Sequence, residues 1–330
     1  MKFLIAGLGS IGRRHLRNLV ALGQGDIVLY RTHKSTLPDE ELASFPVEED
    51  LETALNQHPD AVIVSNPTAL HLDVAIPAAQ KGYHLLLEKP IAAEYDLRVE
   101  RLISLVDQMD VRTLVGFQFR FHPVLMQIRE ILVLGQLGRP LSFKVHWGEY
   151  LPGWHPWEDY RQSYAARKDL GGGVVNTLCH PLDYSRWIFG EPQSVTAVTG
   201  KVSGLDFDVD DFAEIILTYE DGCVGAIHLD YFQRPASHWL EINCEYGQVH
   251  WDNDSASARI YRVDNGAWEV IEPPQGFGRN DLFLSEMEHF LNVVRGNEAS
   301  RCTLQDGVTA LKLTKMVHES SALGKKIFIG

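Results

Sequence analysis

Lys2-Phe3-Leu4-Ile5-Ala6-Gly7-Leu8-Gly9-Ser10-Ile11-Gly12 decides how the rest of the chain is read. Residues 2–6 form a short apolar run that ends at glycine, the pattern of a buried strand. Residues 11–22 follow with Ile11, Leu16, Leu19, Val20 and Leu22 at helical spacing, and Gly23 and Gly25 stop them. Strand, glycine turn and helix therefore follow in immediate succession. Within that turn Gly7, Gly9 and Gly12 make a G-x-G-x-x-G, which alone is a weak signal. Here it stands where a dinucleotide fingerprint works. Gly7 allows the tight turn, Gly9 lets a pyrophosphate approach the backbone, and Gly12 lets the helix pack on the strand. Ser10 and Ile11 open a helix whose first N–H groups can meet phosphate oxygens.

The same grammar repeats outward. Strands are expected over 27–30, 61–65, 84–87 and 113–117, with helices over 51–57, 70–81 and 95–109. Alternating β and α elements with strands apolar on both faces predict a doubly wound parallel sheet, a Rossmann domain over residues 1–121. Beyond it, strands over 141–147, 194–202, 212–219, 224–231 and 238–245 mostly follow one another, and glycine-bearing turns at 220–222 and 246–247 separate two pairs. With helices near 123–134, 178–189, 282–294 and 304–323, residues 122–330 are expected to form an α/β domain with an open, mostly antiparallel sheet. Such a sheet suits a homodimer or homotetramer contact.

Composition narrows the partners. In 330 residues, 30 Lys+Arg against 44 Asp+Glu give a formal charge of −14, which repels phosphate backbones and argues against general nucleic-acid binding. Hydrophobic residues at 45% and charged residues at 22% describe a globular chain rather than a disordered one. Cys179, Cys223, Cys244 and Cys302 lie far apart without a C-x-x-C, so neither a metal knuckle nor a disulfide framework is expected, and a cytoplasmic setting with reduced thiols is. The opening Met1–Gly7 run is too short for a secretory signal, and no run of about 18 apolar residues suggests a membrane span.

The second strand ends in Tyr30-Arg31-Thr32-His33-Lys34, where an NAD site usually carries an acid for the ribose 2′-hydroxyl. Arg31, Thr32 and Lys34 instead offer partners to a 2′-phosphate, which predicts NADP over NAD. The alternative is that Arg31 and Lys34 are solvated surface charges. Glu88-Lys89-Pro90 follows the strand at 84–87, at the strand end where doubly wound sheets bind ligands. A lysine there can stabilise a developing alkoxide. The run 171–183 sets Asn176, His180 and Asp183 at i, i+4 and i+7, one face if helical, while Pro181 places the regular helix start near Cys179. A hydrogen-bonded packing histidine is the alternative for His180. Residues 149–167 mix Tyr150, Trp154, His155, Trp157, Tyr160, Arg161, Tyr164 and Arg167, a set suited to a sugar ring or equally to a loop packed by its own aromatics. Arg161 and Tyr164 are the substrate contacts expected from it.

The order of these parts resembles the Gfo/Idh/MocA oxidoreductase family. The matching features are Gly7–Gly12, Asn66-Pro67 with His71, Glu88-Lys89-Pro90, residues 116–123 (GFQFRFHP) and Gly171–Asp183. The resemblance implies a nicotinamide held between the two domains and hydride exchange with a carbinol of a sugar, polyol or nucleotide sugar. It implies Lys89 and His180 as catalytic residues and adds Ser65, Asn66, Pro67, His71, Glu88 and Lys89 to the cofactor set. Gln118 and Asn176 join Lys89 and His180 as substrate contacts, no metal is implied, and the Lys89–Pro90 bond is expected cis. Many members carry aspartate where this chain has Asn176, so a two-residue acid–base relay is missing here. A redox-inactive dinucleotide-binding regulator and an NAD(P)-assisted glycoside hydrolase are the competing readings.

Overall fold

The computed structural model describes residues 1–33 and 37–329. Two compact units emerge, neither of them continuous in sequence. The first comprises Met1–Gln118, Asp169–Gly171 and Gly278–Leu311, and the second Phe119–Lys168, Gly172–Phe277 and Lys312–Gly330.

The first unit runs β1 (Lys2–Ala6), α1 (Ser10–Ala21), β2 (Asp26–Tyr30), β3 (Val47–Glu48), α2 (Leu51–Leu55), β4 (Ala61–Val64), α3 (His71–Gln80), β5 (His84–Leu87), α4 (Leu97–Gln108) and β6 (Thr113–Val115). Its strands lie in the order β3-β2-β1-β4-β5-β6, all parallel. The expected doubly wound sheet is therefore present. β4 and β6 are buried at every position, as strands covered on both faces must be. The chain reverses outward from β1 in both directions, so the turns after β1 and β4 lie side by side at the C-terminal edge, the place where such sheets bind ligands.

The second unit contributes α5 (Pro123–Val133), β7 (Pro140–Tyr150), α6 (Val174–Thr177), α7 (His180–Phe189), β8 (Ser194–Gly200), β9 (Phe212–Thr218), β10 (Val224–Asp230), β11 (Phe232–Cys244), β12 (Gly247–Asp252), β13 (Ser257–Arg262) and β14 (Ala267–Ile271). After α8 (Arg279–Arg295), which belongs to the first unit, α9 (Leu304–Leu323) begins in the first unit and ends in the second, ahead of β15 (Ile327–Phe328). Among the described residues this sheet has nine strands, ordered β14-β13-β12-β11-β7-β10-β9-β8-β15. Only β7 and β10 pair in parallel. Alternation sets its two faces: Phe143, Val145 and Trp147 of β7 are buried while Lys144 and His146 are not.

Two points refine the expectations. First, of the two arrangements left open for residues 171–183, the structure has the one in which the regular helix begins beside Cys179, so residues 176 and 180 do not share one helix. α6 ends at Thr177, Leu178 takes a non-helical φ/ψ of −96°/34°, and α7 starts afresh at His180 with Pro181 in its first turn. A proline in first-turn position has no intrahelical N–H to lose, which is why the new helix starts there. Second, the sheet extends beyond the five strands expected, through β12, β13 and β14.

Candidate active site

In the first unit the glycine turn is built as its sequence requires. Gly7 has φ +94°, and a Cβ there would fall 2.3 Å from the Asn66 nitrogen. A Cβ on Gly12 would fall 1.9 Å from the Gly7 carbonyl oxygen. These two glycines are thus demanded by the chain's own packing. Gly9 is different, because a Cβ there would project into open space. Nothing in the described chain requires glycine at that position, whereas a phosphate lying against the backbone would. Gly9 is also the N-cap of α1, with no side-chain cap and no acid in the first turn, so the helix's initial N–H groups are left for an incoming anion. The residues present fit a dinucleotide pyrophosphate.

Ser65 and Asn66 close the turn from the β4 side. The Ser65 hydroxyl donates to the Ala6 and Gly7 carbonyls at 3.1 and 2.9 Å. Asn66 donates to the Leu70 carbonyl at 2.9 Å and precedes Pro67. His71, fully buried, joins this turn to the next one, its Nε2 2.8 Å from the Asn66 carbonyl and its Nδ1 3.0 Å from the Pro90 carbonyl. Burial lowers the His71 pKa against the pull of these carbonyls and of Glu88, so the ring is neutral and its single N–H serves one carbonyl at a time. The loop it reaches carries Lys89, half-buried, in a cis bond to Pro90.

Beneath Lys89 lies a pair that sequence spacing alone did not single out. The Glu88 carboxylate is 2.8 Å from His15 Nε2, with the His15 side chain wholly buried. Burial by itself raises the Glu88 pKa. The hydrogen bond to His15 and the nearby Lys89 ammonium outweigh it and hold the group below the ordinary range. His15 stands three residues after Gly12 on α1, one helical turn on, which is the signal available in the sequence. Glu286 of α8 is also wholly buried, and neither of its oxygens has a hydrogen-bond partner among the described residues. Burial, then the charge of Glu88, pushes its pKa well up, so this carboxyl is protonated.

At the end of β2, Arg31 is buried and donates to Asp39 Oδ1 at 2.6 Å. Arg13 reaches the same region, donating to the Leu8 carbonyl at 3.0 Å and the Leu37 carbonyl at 3.2 Å, and so ties residues 37–39 to the glycine turn. Thr32 is exposed, and Lys34 lies outside the described residues.

In the second unit His180 is 3% exposed and packed against aromatic rings. Trp147 stacks on it at 5.7 Å, and Phe119 presents its edge at 5.2 Å. His238 stacks on Trp147 at 4.2 Å and lies 3.1 Å from the Tyr184 hydroxyl. Asp183 is held by Arg120 in a two-pronged ion pair. His122 caps α5: its Nδ1 accepts from the Val124 and Leu125 N–H groups at 3.2 and 3.4 Å, and burial lowers its pKa to about 4. Residues 118–123 thus carry one aromatic contact to His180, one buried cation and one helix cap. Gln118, which ends the continuous first part of the first unit, is buried, and Asn176 on α6 is half-buried. Arg161 is engaged by Asp159 and Asp206, at 2.6 and 3.2 Å, within a chain of 3₁₀ turns that includes Tyr164.

The family model described as an oxidoreductase family with an NAD-binding Rossmann fold matches residues 1–117, and that of the GFO/IDH/MocA C-terminal domain matches residues 125–250. The chain is 26% identical to myo-inositol 2-dehydrogenase of Thermotoga maritima, over 95% of this chain and 94% of that protein. It is 26% identical to D-xylose 1-dehydrogenase (NADP(+)) 2 of Haloferax volcanii, over 81% of this chain and 80% of that protein. A solved levoglucosan dehydrogenase in complex with NADH and levoglucosan superposes with a TM-score of 0.89 at 18% identity, covering 100% of this chain and 99% of that chain, a likeness of fold.

Proposed function

Because this chain belongs to the Gfo/Idh/MocA family of NAD(P)-binding oxidoreductases, we propose that it moves hydride between a nicotinamide cofactor and a carbinol carbon of a sugar or polyol. The observation that carries this reading is the open ground over Gly9, a glycine the protein's own packing does not need, at the head of an uncapped helix. The dehydrogenases of inositol and xylose among the relatives favour oxidation chemistry over a regulatory or hydrolytic role.

The bound nicotinamide supplies or receives the hydride at its own ring carbon. The protein's part is to bind, hold and move a proton. The Lys89 ammonium donates a hydrogen bond to the substrate oxygen and stabilises negative charge as it builds. His180 accepts the hydroxyl proton in oxidation and returns it in reduction, a role worth about 10²–10⁴-fold. Asn176 offers an amide where a carboxylate would share the proton, so the imidazole carries that step by itself. His71 is a positioning residue: its ring fixes the Asn66–Pro67 turn to the Lys89–Pro90 loop. Gln118, Arg161 and Tyr164 are the proposed substrate contacts. Arg161 reaches a substrate by exchanging the carboxylates it now pairs with.

Arg31 supports NADP as the preferred cofactor, since it places a guanidinium at the end of β2 where an acid would serve NAD. Asp39 would have to release it to a 2′-phosphate. The outer face of the nine-stranded sheet supports assembly as a homodimer or homotetramer. The cysteines are free and buried, which suits the cytoplasm, and among the described residues no helix is long and apolar enough to cross a membrane.

The test is Lys89→Met assayed with sugars and polyols, beside NADPH and NADH titrations of the same variant. Turnover should fall by at least ~10²-fold with dinucleotide affinity nearly unchanged. Full turnover in the variant would overturn the assignment of Lys89, and a kcat/KM favouring NADH would overturn the NADP preference.

A further inference from the structure

β7 and β10 are parallel neighbours in a register that sets His228 beside His146 and Asp230 beside Gly148. Residues two apart on a strand share a face, so His146, His228 and Asp230 stand together. Trp147, which packs on His180, points to the opposite face. One ligand atom from each of His146, His228 and Asp230 lies within 4.8 Å of the others. We propose that these three side chains form a binding site for one divalent transition-metal ion, zinc foremost, on the outer face of the sheet.

Four features argue for a built site rather than a chance cluster. His228 Nδ1 lies 2.7 Å from Glu214 Oε1, so this N–H donates to a carboxylate and turns Nε2 toward Asp230 Oδ2, 2.9 Å away. A metal-bound histidine carries that same outer carboxylate on its other nitrogen. Asp230 is fixed in turn: its Oδ1 accepts the Phe232 and Gln233 N–H groups at 2.9 and 2.7 Å, which leaves Oδ2 for the ring or an ion. The His146 imidazole is clamped between His228, stacked at 4.6 Å and 3°, and Trp239, stacked at 5.5 Å and 7°. Its Nε2 lies 2.6 Å from Gln233 Oε1, which brings a fourth donor atom, an oxygen, to the group. Last, a Cβ at position 148 would fall 2.4 Å from Asp230 Oδ2 and 2.3 Å from Gln233 Oε1. Glycine there leaves the room in which these oxygens gather.

Two imidazoles and one carboxylate are the donor set of zinc and its neighbours in the first transition row, with Gln233 or water completing a tetrahedron. Bonds of about 2.1 Å to tetrahedral zinc need donor atoms roughly 3.4 Å apart. The stacked imidazoles therefore turn about their Cβ–Cγ bonds and draw inward on binding, with Nε2 of His146 exchanging Gln233 for the ion. Every ligand comes from the second unit and from the face away from His180, so the ion is structural and the proposal stands apart from the hydride-transfer reading.

The chain, freed of any affinity tag and stripped with EDTA, is titrated with Zn²⁺ by calorimetry and with Co²⁺ by visible absorption. Wild type is expected to saturate at one equivalent and to give Co²⁺ the intense bands of a four-coordinate site. His146→Gln and His228→Gln should each weaken binding at least ~100-fold, and Glu214→Gln by about 10–100-fold. Variants are compared only where their circular dichroism in EDTA matches wild type, and the Co²⁺ spectrum of wild type decides if none does. Absence of a one-equivalent step, an octahedral Co²⁺ spectrum, or the same isotherm in the folded histidine variants would overturn the proposal.

Discussion

Arg120 and Asp183 meet in parallel, Nε to Oδ2 at 2.9 Å and Nη2 to Oδ1 at 2.7 Å, with both side chains nearly inaccessible to solvent. The pair bolts the segment after β6 to α7, the helix that starts with His180. Removing one partner leaves a buried charge uncompensated. Arg120→Leu and Asp183→Leu are each expected to cost about 3–5 kcal/mol, and the Arg120→Leu/Asp183→Leu double variant less than the two single losses combined. Urea unfolding of the four proteins checks this, and simple additivity would deny that the two groups act as a unit.

Gly7 and Gly9 should separate folding from ligand binding. Alanine at Gly7 meets both a positive φ and the Asn66 backbone, and is expected to lower stability by at least ~1–3 kcal/mol. Alanine at Gly9 meets nothing in the chain, so its melting temperature should match wild type while NADPH affinity drops by tenfold or more, about 1.4 kcal/mol. Fluorescence titration beside thermal melts reads both. A Gly9→Ala protein that binds NADPH normally would remove the phosphate from that spot.

Glu286 gives a pH dependence of known sign. Its folded pKa is raised, so the native state prefers the protonated acid. That stability is whole below the ordinary value of 4.5 and is lost as pH climbs from there toward the folded value, by about 1.4 kcal/mol per pH unit. Glu286→Gln cannot ionise and should flatten stability across that range, making the variant the more stable protein near neutrality. Parallel pH profiles of wild type and variant would refute this.

His122 titrates in the opposite sense. Its folded pKa is lowered from 6.5 to about 4, so the unfolded chain takes up a proton first as acid is added. Stability from this group is complete above 6.5 and falls as pH drops toward 4, ~3 kcal/mol in all. Asparagine retains a side-chain cap for α5 without titrating. His122→Asn should therefore lose the decline between those values, as read by chemical denaturation at fixed pH steps.

Much of this was legible in the chain itself. β1, β5 and α9 fall at the residues expected of them, because an apolar run bounded by glycine or a sustained helical period is local information. The glycine turn is legible in the same way, whereas the cis Lys89–Pro90 bond follows from the family resemblance alone. What stayed hidden is of two kinds. β12 and β13 alternate buried and more exposed residues over only six positions each, as in Val249 and Trp251 against His250, and β14 buries none of its five, so none of the three carries a pattern long enough to stand out. The partnerships of Glu88 with His15, Arg31 with Asp39 and Arg120 with Asp183 join residues from different elements. No periodicity records which carboxylate a buried cation will find. For Asn176 the sequence held both readings: counting i to i+4 assumes one unbroken helix, while Pro181 argues for a fresh start near Cys179, and the φ/ψ of Leu178 decides for the second.

The first unit is stitched from pieces that synthesis delivers far apart in time. α8 packs on α1, the Val115 N–H donates to the Cys302 carbonyl at 2.9 Å, and the Leu304 N–H donates to the Thr113 hydroxyl at 3.1 Å. A nascent chain that has just released β6 therefore waits, its outermost strand and first helix lacking their cover, until α8 and the start of α9 have been made, beginning some 160 residues later. Truncation at Phe277 would spare every residue of the glycine turn and still leave a half-clad sheet for chaperones and proteases to find.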